Sequence, residues 1–333
     1  MVNTRIDYID FLKFVGLLLV ILAHVKPPTP ILFIRCFDVP FLVILSGFLA
    51  NRSLERMSIS KGIINTQYFI KRFKRLVLPT WIMLVLVFSC QAAVGTVHPI
   101  KYYLFSFCLT TKYGIGYVWI ILIFLYCAFA APILKKSLSF QPFWLVMALV
   151  YCLYEIAYHF RWGTENIFIL NTVYYIIPYG FLTALGMKYQ TMTKRTKLMV
   201  FIICFFIFVI CSVYYHQTQG GFQHPSIAKY PPRIFFLSYS IAVSFLLLML
   251  CEGRDNRLFR FRPVHFISSH SLWIYLWHIF FLMLYNKMAP FDNWIVRYVF
   301  VLILSVTTVW LQNLLFDKLE TVFNWSIPKY MRG

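Results

Sequence analysis

Charged residues are scarce in this chain, and acidic residues are the scarcest. Only 13% of its 333 residues are charged, whereas soluble globular domains carry about a quarter. The 31 Lys and Arg residues are set against only 11 Asp and Glu residues. Hydrophobic residues make up 61% of the chain and aromatic residues 20%. This composition excludes a soluble globular protein and indicates a polytopic membrane protein.

Several motifs of soluble enzymes are also missing. The eight cysteines form no CxxC pair and no Cys/His spacing typical of metal ligands. We therefore expect no metal and interpret the cysteines as small core residues. No small-residue cleavage site follows the first apolar run, so we expect no cleavable signal peptide. We also expect no soluble domain, which places any chemistry within the helix bundle or at its faces.

The formal net charge of +20 comes in short basic clusters between apolar runs. In a soluble protein such a charge would suggest nucleic acid as a partner. Here alternate loops carry most of the basic residues, which is the pattern of the positive-inside rule. The rule places the loop that contains Arg195 in the cytoplasm and the loops that contain Lys101 and Lys229 on the outer side. We therefore expect a lipid bilayer around the chain, no nucleic-acid partner, and both termini in the cytoplasm.

The apolar runs predict an all-α polytopic helix bundle with about ten transmembrane helices, and residues 1–333 are predicted to form one integral-membrane domain. Only helices and closed barrels span bilayers, and these runs are too long and continuous for barrel strands. The predicted spans cover residues 8–26, 33–50, 76–95, 115–134, 142–159, 167–187, 198–215, 234–251, 266–286 and 295–316.

The first span carries three ionisable residues on one side of a helix. At 100° per residue, Lys13 and His24 lie about 20° apart around the axis, and Asp10 lies about 40° from His24. Charges at such depth are costly and usually face a bundle interior or a water-filled cavity. A structural interpretation competes with a functional one: Asp10 and Lys13 would pair at the cytoplasmic interface, and His24 would lie among the outer headgroups.

The first span contains Asp10 and Lys13 and, after ten further residues, His24. This spacing resembles the Asp-x-x-(Arg/Lys)-x10-His pattern of the acyltransferase-3 family of membrane O-acyltransferases. Lys13 stands where Arg is commoner in that family. Three further stretches resemble family motifs in the expected order. They are residues 41–49, similar to the FFxxSGF/Y motif, residues 71–79, similar to the basic RxxR segment, and residues 271–278, similar to the S-x-x-IYLxH motif.

One stretch departs from the family pattern. Many members have W-S-L-x-x-E where this chain has residues 117–122, and Phe124 occupies the offset of the glutamate. The chain therefore resembles the shorter subgroup that lacks this glutamate and an extra soluble domain. That subgroup includes enzymes that acetylate surface polysaccharides.

The resemblance implies an O-acetyltransferase in the plasma membrane. Acetyl-CoA would be the cytoplasmic donor, and the acceptor would be a hydroxyl of a cell-surface or capsular polysaccharide or of its lipid-linked precursor. Acyl transfer to a hydroxyl needs a base, stabilisation of the developing oxyanion, and a means of holding the polyanionic carrier. His24 would be the base, or would carry the acyl group transiently itself. Lys13 would hold a phosphate or carbonyl oxygen, with Asp10 keeping its ammonium charged and oriented.

Arg72 and Arg75 are the candidates for binding the phosphates of coenzyme A. They lie at i,i+3 on one face of a predicted helix at the cytoplasmic mouth, where two guanidinium groups suit bidentate phosphate contacts. A second interpretation is that the cluster sets membrane topology and contacts anionic lipid.

Four other residues are candidates for substrate binding. Ser46 would be a nucleophile or a small residue that lets helices approach closely, and the absence of a GxSxG elbow favours the second. His278 would be a satisfied interior histidine or a second site residue within the membrane. Arg35 and Asp38, at i,i+3 near the outer start of the second span, would pair with each other or bind the acceptor.

A transporter or flippase for an anionic or glycosidic substrate is the alternative function. A basic, cavity-facing first helix would serve it equally well. Transporters often show matching halves with Gly/Pro-interrupted short spans, and the sequence shows no such duplication.

Overall fold

The computed structural model describes residues 5–58, 66–110, 113–139, 142–288, 292–324 and 326–332. Within these ranges the chain is predominantly α-helical and contains no β-strand. The prediction of an all-α helix bundle is therefore confirmed. The α-helices are α1 (Asp7–His24), α2 (Thr29–Arg35), α3 (Asp38–Ser58), α4 (Thr66–Ala93), α5 (Ile100–Phe107), α6 (Trp119–Ser137), α7 (Phe143–His159), α8 (Ile167–Tyr189), α9 (Lys194–Gln219), α10 (Ile234–Cys251), α11 (Arg262–Ser269), α12 (Ser271–Met288), α13 (Trp294–Phe323) and α14 (Lys329–Arg332).

Each of the ten predicted spans coincides with a helix or a helix pair. In the described part of the chain, seven helical stretches are long and apolar enough to cross a membrane, and the bent pair α11–α12 makes an eighth. The remaining two predicted spans correspond to α7, which has 17 residues, and to α1, which contains Asp7, Asp10 and Lys13. Crossing by α1 and α7 stays a prediction, as does the cytoplasmic position of both termini.

The chain divides into two compact units, each built from separate segments of sequence. The first unit comprises Met1–Pro28, Thr66–Leu125 and Asp255–Gly333. Within it, α1 packs against α11, α12 and α13, and α12 packs against α4 and α13.

The second unit comprises Thr29–Asn65 and Tyr126–Arg254. Its main helix pairs are α3 with α8, α9 with α10, and α7 with α8. An ion pair joins α9 to the end of α10, since Nζ of the buried Lys197 lies 2.7 Å from a carboxylate oxygen of the exposed Glu252. The Tyr189 hydroxyl donates to the same carboxylate at 3.0 Å. The carboxylate therefore fixes the ends of three helices.

Two glycines set the close approach of α3 and α8. A Cβ at Gly47 would overlap the backbone carbonyl oxygen of Thr183, and a Cβ at Gly186 would overlap that of Ile44. Small residues at such crossings let helix backbones pack directly, which is the usual means of association within bilayers. This contact favours the packing interpretation of the Ser46–Gly47 pair.

Gly47→Ala should destabilise the second unit, because the added methyl meets a backbone atom that cannot move aside. Overpacking of this kind costs about 1–3 kcal/mol. Gly180→Ala, also within a helix of the second unit, is the control, since a Cβ there meets nothing within 4 Å. Thermal unfolding of the purified protein in detergent should show a lower midpoint for Gly47→Ala than for Gly180→Ala. Equal midpoints would contradict the close approach.

Candidate active site

Two histidines from distant parts of the sequence meet in the first unit. His24 is the last residue of α1, and its Nδ1 lies 2.9 Å from Nε2 of His278 in α12. The two rings stack, with centroids 5.1 Å apart and planes inclined by 12°. His278 is completely buried, at 0% exposure. The pair is thus shielded from solvent on the α12 side.

The other ring nitrogen of His278 determines the direction of this hydrogen bond. His278 Nδ1 contacts the backbone carbonyl oxygen of Tyr275, and a carbonyl can only accept, so Nδ1 carries a proton. Nε2 of neutral His278 is then an acceptor, and the Nδ1–H of His24 donates to it. Neutral His24 consequently holds its lone pair on Nε2. This is the tautomer that a base or nucleophile acting through Nε2 requires.

Two tyrosines support this arrangement. The ring of Tyr117, in the short 3₁₀ turn Gly116–Val118, meets the ring of His24 edge-on with centroids 4.9 Å apart. The Tyr275 hydroxyl donates to the backbone carbonyl oxygen of Tyr117 at 2.5 Å. One residue of α12 therefore orients His278 through its carbonyl and anchors, through its hydroxyl, the turn that packs against His24.

A break between α11 and α12 supplies the partner of Lys13. The two helices meet at an angle of 79° at His270. Carbonyl groups in the last turn of a helix lack intrahelical partners, and the Ser268 carbonyl lies in that turn of α11. Lys13 Nζ donates to this oxygen at 3.0 Å. The bent span thus holds the ammonium group from α1 in place.

Asp10 also contacts this region, and its carboxylate has closer partners than the ammonium group of Lys13. Its carboxylate accepts from Arg5 Nε and, at 2.7 Å, from the Ser268 hydroxyl. Lys13 Nζ lies 3.8 Å from Asp10 Oδ1, and the His265 ring lies 3.7 Å from Oδ2. The expected pair of Asp10 and Lys13 is present, and the Ser268 carbonyl is the closer partner of the ammonium.

A comparison with family models shows which family this chain belongs to. The model of the acyltransferase-3 family, described as an acyltransferase domain, matches residues 6–313. The chain belongs to the acyltransferase-3 family. The match includes every candidate residue named from the sequence, and together with the apolar helices it makes this protein a multi-pass membrane acyltransferase. Searches of curated proteins and of solved structures each gave no significant match.

In this acyltransferase, Arg72 and Arg75 lie on α4, in the same unit as the histidine pair. The guanidinium of Arg72 lies over the ring of Tyr68, 5.2 Å from its centroid. Arg75 lies within electrostatic reach of Lys13. The three cations therefore form one positive region within the first unit. Their role in binding coenzyme A stays a prediction.

The other candidates belong to the second unit and are described by themselves. Arg35 Nη1 donates to Asp38 Oδ2 at 2.5 Å, so the pairing that was one of the two alternatives for these residues is present. The backbone N–H of Val39 also donates to Asp38, at 2.9 Å. Ser46 is half-buried, and within the described ranges its hydroxyl makes no hydrogen bond to a histidine. The arrangement therefore gives no support to a Ser46 nucleophile.

Sequence reasoning missed several partners within the first unit. Arg5, Ser268, His265, Tyr117 and Tyr275 all contact predicted site residues, but none was singled out. One signal was available, because a Ser-Ser-His-Ser run occupies residues 268–271, inside an otherwise apolar predicted span. A polar run at that depth indicates a break in the helix or a site.

Proposed function

We propose that this protein is an O-acetyltransferase of the plasma membrane. It would move the acetyl group of cytoplasmic acetyl-CoA to a hydroxyl of a cell-surface or capsular polysaccharide, or of its lipid-linked precursor. The observation that supports this proposal is the His24–His278 pair, with its defined tautomer, in the same unit as Lys13, Arg72 and Arg75. A base and a positive region are the parts that transfer from a coenzyme A thioester requires.

In the proposed reaction, Nε2 of His24 removes the proton of the acceptor hydroxyl. The hydroxyl oxygen attacks the thioester carbonyl carbon, and the resulting tetrahedral oxyanion collapses with cleavage of the carbon–sulfur bond. The coenzyme A thiolate leaves and takes up the proton from His24. A new ester and a free thiol are the products, and both atoms and charge balance. General acid–base assistance of this kind contributes about 10²–10⁴-fold.

Lys13 is suited to the donor side of this reaction. Its ammonium group has three N–H donors, of which one is held by the Ser268 carbonyl at 3.0 Å. The remaining donors are available for an anionic oxygen of the donor or for the thioester oxyanion. Arg72 and Arg75 would hold the phosphates of coenzyme A through charge-assisted hydrogen bonds.

The alternatives fall into two kinds. Transient acylation of His24 uses the same Nε2 lone pair and is a different route to the same products. The transporter interpretation gains some support from the broken span, because discontinuous helices are common in transporters. Here, however, the Ser268 carbonyl at the break already accepts a hydrogen bond from Lys13. Membership of the acyltransferase-3 family also favours an enzyme over a transporter.

The test is acetyl transfer in membranes that contain the protein, supplied with radiolabelled acetyl-CoA and the surface polysaccharide of the expressing cell. Membranes with the wild-type protein should transfer the radiolabelled acetyl group to the polysaccharide, and treatment with base should release it. Arg72→Ala/Arg75→Ala should raise the KM for acetyl-CoA at least ~10-fold, because each charge-assisted hydrogen bond contributes about 1.5–3 kcal/mol. Arg195→Gln is the matched control, since Arg195 is exposed at the start of α9 and is also predicted to be cytoplasmic.

Two outcomes would count against the proposal. Absence of label from every polysaccharide, together with absence of coenzyme A binding to the purified protein, would favour the transporter. An equal KM for the double variant and for Arg195→Gln would remove the two arginines from the donor site and leave the reaction class intact.

A further inference from the structure

The second unit buries two cations close to a single carboxylate. Arg35 is 9% exposed and Lys229 is 8% exposed. Asp38 pairs with Arg35, whereas Lys229 forms no ion pair with any residue that the structure describes. An uncompensated ammonium group in such surroundings is unfavourable unless something else balances its charge.

The neighbours of Lys229 do not balance its charge. Its Nζ lies 5.4 Å from the centroid of the Tyr230 ring and 6.0 Å from that of Phe236. Both are cation–π distances, but a neutral ring supplies no negative charge to balance the ammonium group. Burial lowers the pKa of His224, and the nearby charges of Arg35 and Lys229 lower it further. His224 is therefore neutral at pH 7. Two cations and one carboxylate leave this cluster with a net positive charge.

Unused hydrogen-bond donors lie in the same cluster. Arg35 uses Nη1 to contact Asp38, while its buried Nε has no partner within the described ranges. The hydroxyl of Tyr179 is likewise buried without a partner there, on a side chain that is 0% exposed. Tyr179 lies within electrostatic reach of Asp38 and Tyr230. Buried donors without partners are rare, and each calls for an explanation.

We propose that Lys229, Arg35 and Tyr179 form a binding site for an anionic oxygen group, a carboxylate or a phosphate, carried by the acceptor glycan. The ammonium supplies the charge, and the guanidinium Nε and the phenol supply directed donors. Asp38 holds the guanidinium in place through Nη1. Tyr230 borders Lys229 and offers a ring face on which a sugar can stack. The glycan as carrier rests on the proposed function, whereas binding of the anion does not.

The first experiment measures the thermal unfolding of the purified protein at constant ionic strength. Sodium glucuronate tests a carboxylate, inorganic phosphate tests a phosphate, and glucose is the neutral control. We expect a saturable rise in the unfolding midpoint with one of the two anions and none with glucose. A larger response to glucuronate would identify an acidic sugar, and a larger response to phosphate would identify a phosphorylated precursor. A flat response to both anions would overturn the proposal.

Lys229→Met should weaken the apparent affinity for the responding anion at least tenfold, while Lys101→Gln, at an exposed residue on the same predicted side of the membrane, should leave it unchanged. Arg72→Ala/Arg75→Ala should also keep the response. Its loss in that double variant would place the anion at the coenzyme A site and overturn the proposal.

The unfolding midpoint without any anion provides a second readout. Lys229→Met removes an unbalanced buried charge and should raise this midpoint. A lower midpoint, together with an unchanged anion response, would show that Lys229 is only a packing residue. Both measurements need no acetyl transfer, so failure of the proposed activity and failure of this site are distinguishable.

Discussion

His24→Ala should reduce acetyl transfer by about 10²–10⁴-fold, the range that a positioned general base contributes. The loss should appear in kcat, because in the proposed reaction His24 acts on the reacting hydroxyl rather than on the phosphates of the donor. His159→Ala is the control, since His159 is exposed at the end of α7 in the second unit. Acetyl transfer should be measured with radiolabelled acetyl-CoA in membranes at matched protein levels. Equal labelling by wild type and His24→Ala would remove His24 from the reaction.

Rapid mixing of the wild-type protein with acetyl-CoA distinguishes the two proposed roles of His24, general base and transient acyl carrier. If His24 carries the acetyl group, rapid mixing with acetyl-CoA in the absence of acceptor should release up to one equivalent of free thiol in a burst. If His24 is a base, release of thiol should wait for the acceptor. His24→Ala should show no burst under either scheme, so the burst in wild type is the deciding observation.

The sequence was sufficient to predict the helices but not the contacts between them. Long apolar runs specify spanning helices almost regardless of their detail, because every backbone group must be satisfied within the bilayer. Periodicity also placed Asp10, Lys13 and His24 on one side of α1. The partner of His24 lies 254 residues away, and no local pattern connects residues at that separation. The role of Ser268 depends on the break at His270, which hydropathy alone does not resolve.

Local sequence patterns were likewise insufficient to predict that Lys229 lies near Arg35. The i,i+3 spacing of Arg35 and Asp38 made pairing one of two alternatives, because that spacing places both on one helix face. Lys229 follows a short 3₁₀ turn in the loop between α9 and α10. The sequence assigns it only to an external loop. Its burial near Arg35 depends on how the second unit packs.

His278→Leu should lower kcat by about 10–100-fold and leave the KM for acetyl-CoA unchanged. His278 contacts the carbonyl of Tyr275 and the ring of His24, so both of its nitrogens are occupied. In the proposed reaction it is therefore a positioning residue that keeps the proton of His24 on Nδ1. Without an acceptor at that place, neutral His24 redistributes its proton between the two nitrogens, and the ring is no longer held. In other enzymes, a catalytic histidine held in the wrong tautomer loses up to about 10⁴-fold in kcat.

A purely structural role for His278 makes a different prediction. Loss of a buried hydrogen bond costs about 1–3 kcal/mol wherever it occurs, so Ser305→Ala, which removes a buried hydroxyl bonded to the Val301 carbonyl in α13, is the matched control. It should lower the unfolding midpoint without changing kcat. His278→Gln restores an acceptor oxygen opposite His24 and should recover part of the kcat lost in His278→Leu. If kcat recovers in His278→Gln and is unchanged in Ser305→Ala, the effect of His278 on kcat comes from the orientation of His24 and not from packing. An equal kcat for the leucine and glutamine variants would instead reduce His278 to a packing residue.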